Sequence, residues 1–130
     1  TFGVVVDTSG SMSAKQIGMA LGSIASYAAA KDVPFVRIIF CDAKATDAGY
    51  LAPEDIAGRV KVTGRGGTIL QPGVDCLEQA NDFPKDGPIL IITDGEIEND
   101  LKVRREHAFL LPRGNRLPFR ARGEVFYFRE

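Results

Sequence analysis

The chain has 130 residues, is 45% hydrophobic and 25% charged, and carries a formal net charge of -1. That length suits one domain with a core of its own, and the charge balance excludes an acidic disordered tail and a uniformly basic nucleic-acid binder. No apolar run approaches the ~20 residues of a membrane span and no signal-peptide pattern opens the chain, so no membrane partner is expected.

Phe2–Val6 is a short continuous apolar run closed by Asp7-Thr8-Ser9-Gly10. Such a run predicts a strand buried on both faces, as in a parallel sheet. From Ser13 to Lys31 the period changes: Ile17, Leu21, Ile24 and Ala28 recur at helical spacing. Gly18 and Gly22 lie four residues apart beside that stripe, and are expected to let the helix backbone approach the sheet. Pro34–Phe40 predicts the second strand and Asp47–Leu51 a short third one. Pro53–Val60 predicts a short helix with Pro53 at its start and Glu54 and Asp55 in the first turn, where the helix dipole favours them.

Gly64-Arg-Gly-Gly-Thr68 predicts a loop, and the spacing Leu70, Val74, Leu77 predicts a helix over 70–81. Ile89–Thr93 is a second continuous apolar run, ending at Asp94-Gly95. Ala108–Leu111 and Val125–Phe128 predict the last strands, with Pro112, Gly114 and Pro118 favouring an irregular connection between them. Strands alternating with helices predict an α/β fold, a mainly parallel open sheet flanked by helices. In such sheets the ligand crevice lies outside the carboxyl ends of the strands, where strand order reverses. Asp7 and Asp94 both follow buried strands.

Two cysteines, Cys41 and Cys76, sit among apolar residues and form no C-x-x-C pair, which predicts buried thiols in a reducing, cytoplasmic setting. The chain opens without Met inside an apolar run, as expected of a C-terminal fragment cut from a longer protein. Charge is uneven along it: residues 1–100 hold 8 Lys/Arg against 14 Asp/Glu, a balance of -6, and residues 101–130 hold 8 against 3, a balance of +5. The basic segment (Lys102, Arg104, Arg105, Arg113, Arg116, Arg120, Arg122, Arg129) reads either as a solvated face, as a contact surface for an acidic partner, or as a nucleic-acid footprint.

Asp7, Ser9 and Ser11 place a carboxylate and two hydroxyls at alternate positions of one loop. Oxygen donors without His or Cys suit Mg²⁺ or Mn²⁺ rather than Zn²⁺. Thr68 adds a hydroxyl behind Gly66-Gly67, and Asp94 adds a second carboxylate. The same Asp-x-Ser-x-Ser run could instead do no more than cap the following helix, since Ser and Asp are preferred N-caps. Asp42, also just past a strand, is an accessory ligand or a plain loop carboxylate.

Taken together, Asp7-x-Ser9-x-Ser11, Thr68 and Asp94-Gly95 resemble the metal-ion-dependent adhesion site of von Willebrand factor A (VWA) domains. Within that group the stretch Gly64–Gly73 is similar to bacterial VWA-like domains of metallopeptidase-like proteins associated with MoxR-type AAA+ ATPases. The resemblance implies one VWA-like (Rossmann-like) domain over residues 1–130. It implies that Ser9, Ser11 and Thr68 touch Mg²⁺ or Mn²⁺ directly while Asp7 and Asp94 act through water. It also implies a protein partner that offers Asp or Glu to the cation, an AAA+ ATPase or its substrate among the candidates.

The expected function is therefore a cation-dependent protein-binding module, not an enzyme. No G-x-S-x-G elbow is present, the sole histidine is His107, and Gly64–Gly67 lacks the Lys-Ser/Thr ending of a P-loop. Two alternatives stand beside it. One is a metal-dependent phosphohydrolase with Glu96 as base. The other is a VWA scaffold that binds nucleic acid through the basic segment.

Overall fold

A computed structural model describes residues 1–9, 11–56, 58–59 and 69–129. The elements run β1 (Gly3–Asp7), α1 (Ala14–Ala30), β2 (Val36–Cys41), β3 (Ala45–Leu51), α2 (Pro53–Ile56), α3 (Gln71–Gln79), β4 (Ile89–Ile92), β5 (His107–Pro112) and β6 (Glu124–Phe128). The six strands form one sheet in the order β3-β2-β1-β4-β5-β6. All pairs are parallel except β2 with β3, a hairpin-like antiparallel edge. This is the α/β open sheet that the strand-helix alternation predicts.

The apolar runs explain why β1, β2 and β4 sit in the middle. Side chains alternate across a strand, so a strand with no polar face must be covered on both sides. On β1, Val4 and Val6 pack with Ile17, Leu21 and Ile24 of α1, while Val5 packs with Val74 and Leu77 of α3. The two helices therefore lie on opposite faces. The chain leaves β1 through α1 to reach β2 on one side, then returns through α3 to β4 on the other. Strand order thus reverses between β1 and β4, and the carboxyl ends of those two strands frame the crevice.

Local chemistry sets the helix ends. Ser13 accepts from the Gln16 backbone N–H at 3.0 Å, and the Gln16 side chain accepts from the Ser13 N–H at 3.0 Å, a reciprocal capping box for α1. The predicted α2 stops short at Ile56, with Gly58 in a turn; Ala57 and Val60 fall outside the described residues. Of the two glycines expected to let α1 approach the sheet, Gly22 does not serve that purpose, since a Cβ there would meet nothing within 4 Å. A helix does approach the sheet closely at Gly73 of α3, where a Cβ would lie 2.8 Å from Cγ1 of Val5. β3 starts two residues earlier than its pattern predicts, at Ala45, because it takes its register from Cys41 of β2 rather than from its own weak alternation.

Among the described residues one cationic side chain is buried. Arg37 of β2 donates to both carboxylate oxygens of Asp47 on β3 and to Asp82 at 2.7 Å. The guanidinium holds the Asp47 carboxyl below the usual carboxylate range, through its hydrogen bonds first. Cys41 and Cys76 are both free, and burial pushes each thiol up, away from the reactive thiolate. Among the described residues no helix is long and apolar enough to cross a membrane.

Candidate cation-binding site

Asp7 ends β1 and is fully buried. Its neighbour Thr8 extends the ladder by donating its N–H to the Cys41 carbonyl at 3.0 Å, so the chain turns off the sheet only at Ser9. There Ser9 donates its backbone N–H to Oδ1 of Asp7 at 2.8 Å, and the Ser9 carbonyl accepts from the Met12 N–H at 3.0 Å. Met12 is itself buried among Ile17, Leu21 and Val6 on the α1 side. An apolar anchor thus pins the far end of the loop, with Ser9 buried at its start and Ser11 exposed between.

The hydroxyls of Ser9 and Ser11 are 3.0 Å apart. The two are hydrogen-bonded to each other; adjacent oxygens on an octahedral Mg²⁺ with bonds of 2.0–2.1 Å lie about 2.9 Å apart, so the spacing of this hydrogen bond is also compatible with two neighbouring ligands. Neither serine caps α1, because Ser13 holds that position. The helix-capping alternative for Asp-x-Ser-x-Ser is thereby answered: the cap is one further serine along.

Asp94 follows β4 and is also buried, at 4% exposure. Its Oδ1 accepts the Glu96 N–H at 3.1 Å and its carbonyl accepts from the Asn115 side-chain amide at 2.9 Å. Gly95 adopts φ +92, and a Cβ there would run into the Arg116 carbonyl, so this position needs glycine on both counts. Thr93 ties the Asp7 carboxylate to the backbone that follows Asp94. Its hydroxyl donates to Oδ2 of Asp7 at 2.7 Å and accepts from the Gly95 N–H at 3.1 Å.

Burial pushes the Asp7 carboxyl above the usual range; hydrogen bonds from Ser9 and Thr93 oppose this, and the negative charge of Asp94 adds to it. A cation placed near both carboxylates would reverse that balance.

The fold treats the sequence candidates differently. Asp7, Ser9, Ser11 and Asp94 are brought to the crevice between β1 and β4. Thr68, with Gly64–Gly67 before it, lies outside the described residues. The residues next along the chain are firmly held: the Ile69 carbonyl accepts from the Ala43 N–H at 3.1 Å, and Glu98 accepts from the N–H groups of Leu70 and Gln71 at 2.9 Å. Glu98 thereby fastens the start of α3 to the loop that carries Asp94. Asp42 donates its backbone N–H to the Lys44 carbonyl at 3.3 Å within its own turn. His107, at the start of β5, is at the opposite end of the strands from Asp94.

Thr93, Glu98 and Asn115 did not emerge from the motif. Thr93 alone left a trace in sequence, as the one hydroxyl closing an aliphatic run. Among the described residues no group of three or more His, Cys, Asp and Glu side chains gathers as a metal cluster. A cation here depends on hydroxyl donors, and the oxygen-only set of Asp7, Ser9, Ser11 and Asp94 fits a hard divalent ion.

An open α/β domain with a carboxylate-hydroxyl crevice at its topological switch point is thus defined by fold and site. Residues 2–105 match the family described as VWA-like domain (DUF2201), and the chain belongs to that family. No curated protein matches the chain. Membership points to a protein-interaction scaffold.

Proposed function

We propose that the chain is a divalent-cation-dependent protein-binding module, and that Asp7, Ser9, Ser11 and Asp94, with Thr68 as a fifth ligand, form a metal-ion-dependent adhesion site. The observation that carries this reading is the Ser9–Ser11 hydroxyl pair, 3.0 Å apart beside a buried carboxylate and relieved of any capping duty. Bound Mg²⁺ or Mn²⁺ would supply a Lewis-acidic centre able to accept a carboxylate oxygen from another protein.

The chain's own residues do the rest. Thr93 and the Ser9 N–H occupy both oxygens of Asp7 and hold it in one orientation. The Glu96 N–H does the same for one oxygen of Asp94. Uncharged hydroxyls as direct ligands leave the ion's charge available to an acidic side chain. An AAA+ ATPase of the MoxR type, or its substrate, is the partner we infer from the bacterial VWA-like resemblance, in a cytoplasmic setting that suits two free thiols.

We read the site as binding rather than catalytic. Glu96, the residue an alternative phosphohydrolase would need as its base, is exposed and engages Asp94 only through its backbone N–H. Selection of a random peptide library on the immobilised chain in Mg²⁺, with elution by a chelator, tests the proposal. Eluted peptides are expected to share an Asp or Glu, and Asp94→Asn protein is expected to retain none of them. A selection in which the chelator releases no peptide, or releases peptides without a shared acidic residue, would contradict it.

A further inference from the structure

The basic segment, continuous in sequence, is divided by the fold. Arg105 is consumed internally: it donates to the carbonyls of Pro84, Gly87 and Glu78 and lies 5.3 Å from the Phe83 ring centre, while the exposed Arg104 pairs with Glu78 at 3.5 Å. Arg120 and Arg122 line a separate cleft with Lys102, Arg104 and His107. Arg113, Arg116 and Arg129 line a third location together, an open cleft of about 730 Å³.

Three observations single out that cleft. Arg113 and Arg129 directly follow the carboxyl ends of β5 and β6, so they lie along the same sheet edge as Asp7 and Asp94. Its wall touches the candidate site: Asn115 donates to the Asp94 carbonyl, and the Arg116 carbonyl is packed on Gly95. All three arginines are exposed, and among the described residues none of their guanidinium groups has an ion-pair or hydrogen-bond partner. Phe126 and Tyr127, 50% and 54% exposed, complete the lining with apolar surface, and no described lining residue is acidic.

We propose that this cleft binds an acidic peptide segment of the partner, whose carboxylates pair with Arg113, Arg116 and Arg129 beside the residue that reaches the cation. The inference rests on the adhesion-site reading for the choice of neighbour, but the arginine contacts act without metal. Arginine suits the task, since its planar fork meets a carboxylate with two parallel hydrogen bonds. Aromatic faces at Phe126 and Tyr127 then cover the aliphatic stems of Glu side chains. A nucleic acid is the poorer fit. It needs a long run of phosphate contacts, whereas the arginines fall into separate clefts.

The probe is a fluorescein-labelled hexaglutamate peptide, with hexaglutamine as control, followed by anisotropy on the full chain at low ionic strength. In chelator, hexaglutamate is expected to bind wild type. Arg113→Gln/Arg116→Gln should weaken it about fivefold to twentyfold, and Arg129→Glu at least as much. Arg120→Gln/Arg122→Gln, in the separate cleft, should leave it within about twofold. Equal binding by wild type and both cleft variants would overturn the proposal. So would labelled oligothymidylate binding more tightly than hexaglutamate and displacing it. Added Mg²⁺ reports on the adhesion site alone: enhancement lost in Asp94→Asn supports that reading. Absence of enhancement with the arginine dependence intact removes the reading and leaves the acidic-peptide cleft standing.

Discussion

A buried carboxylate is tolerated only when its lone pairs are met, and Asp7 meets this condition with one backbone N–H from Ser9 and one hydroxyl from Thr93. Thr93→Val keeps the shape and removes the hydroxyl, leaving an oxygen of Asp7 and the Gly95 N–H short of a partner. A loss of about 1–3 kcal/mol is expected in denaturant unfolding, with Thr93→Ser losing less than about 1 kcal/mol. Equal stability of Thr93→Val and wild type would show that the bridge does not matter. Asp7, Ser9, Ser11 and Asp94 were legible because they follow buried strands in a short motif. Thr93, Glu98 and Asn115 were not. Their contacts span 86, 28 and 21 residues of sequence, and only the sheet brings the ends of those spans together.

Among the elements, the central strands and α1 follow directly from pattern. Apolar residues with no polar alternation can only be covered on both faces, and the 3.6-residue period of Ile17, Leu21, Ile24 and Ala28 allows only a helix. Gly22 was a misleading signal. Gly22 sits on α1 with open space around it, while Gly73 sits in α3 against Val5. The two should respond oppositely to alanine. Gly22→Ala is expected to stabilise the chain by about 0.5–1 kcal/mol through helix propensity. Gly73→Ala is expected to cost about 1–3 kcal/mol, because the stiff Val5 side chain must give way. Thermal or urea unfolding of both variants checks the pair, and a shared sign would contradict the packing described for α3. The edge strand β3 was harder to place because its ladder with β2, not its own alternation, sets its ends.

At the scale of the molecule, one topological fact organises the rest. Because α1 and α3 cover opposite faces, the chain leaves the carboxyl ends of the adjacent strands β1 and β4 in opposite directions, and the two buried carboxylates and the Ser9–Ser11 hydroxyl pair follow those ends. Glu98 secures the start of α3 to the same region, so three chain segments far apart in sequence converge on one crevice. The fold class was readable from strand-helix alternation alone. The division of the basic segment into an internal support and separate clefts was not, since Arg105 finds its acceptors at Pro84, Gly87 and Glu78, far away in sequence. The most direct measurement of the cation site is a thermal melt with and without about 10 mM Mn²⁺, on wild type and on Asp7→Ala. For a dissociation constant of about 0.1–1 mM, binding linkage stabilises wild type by about 1.4–2.7 kcal/mol. That corresponds to a rise of roughly 5–10 °C, expected in wild type and absent in Asp7→Ala. No rise in wild type, or the same rise in both proteins, would contradict a cation held by Asp7 and its neighbours.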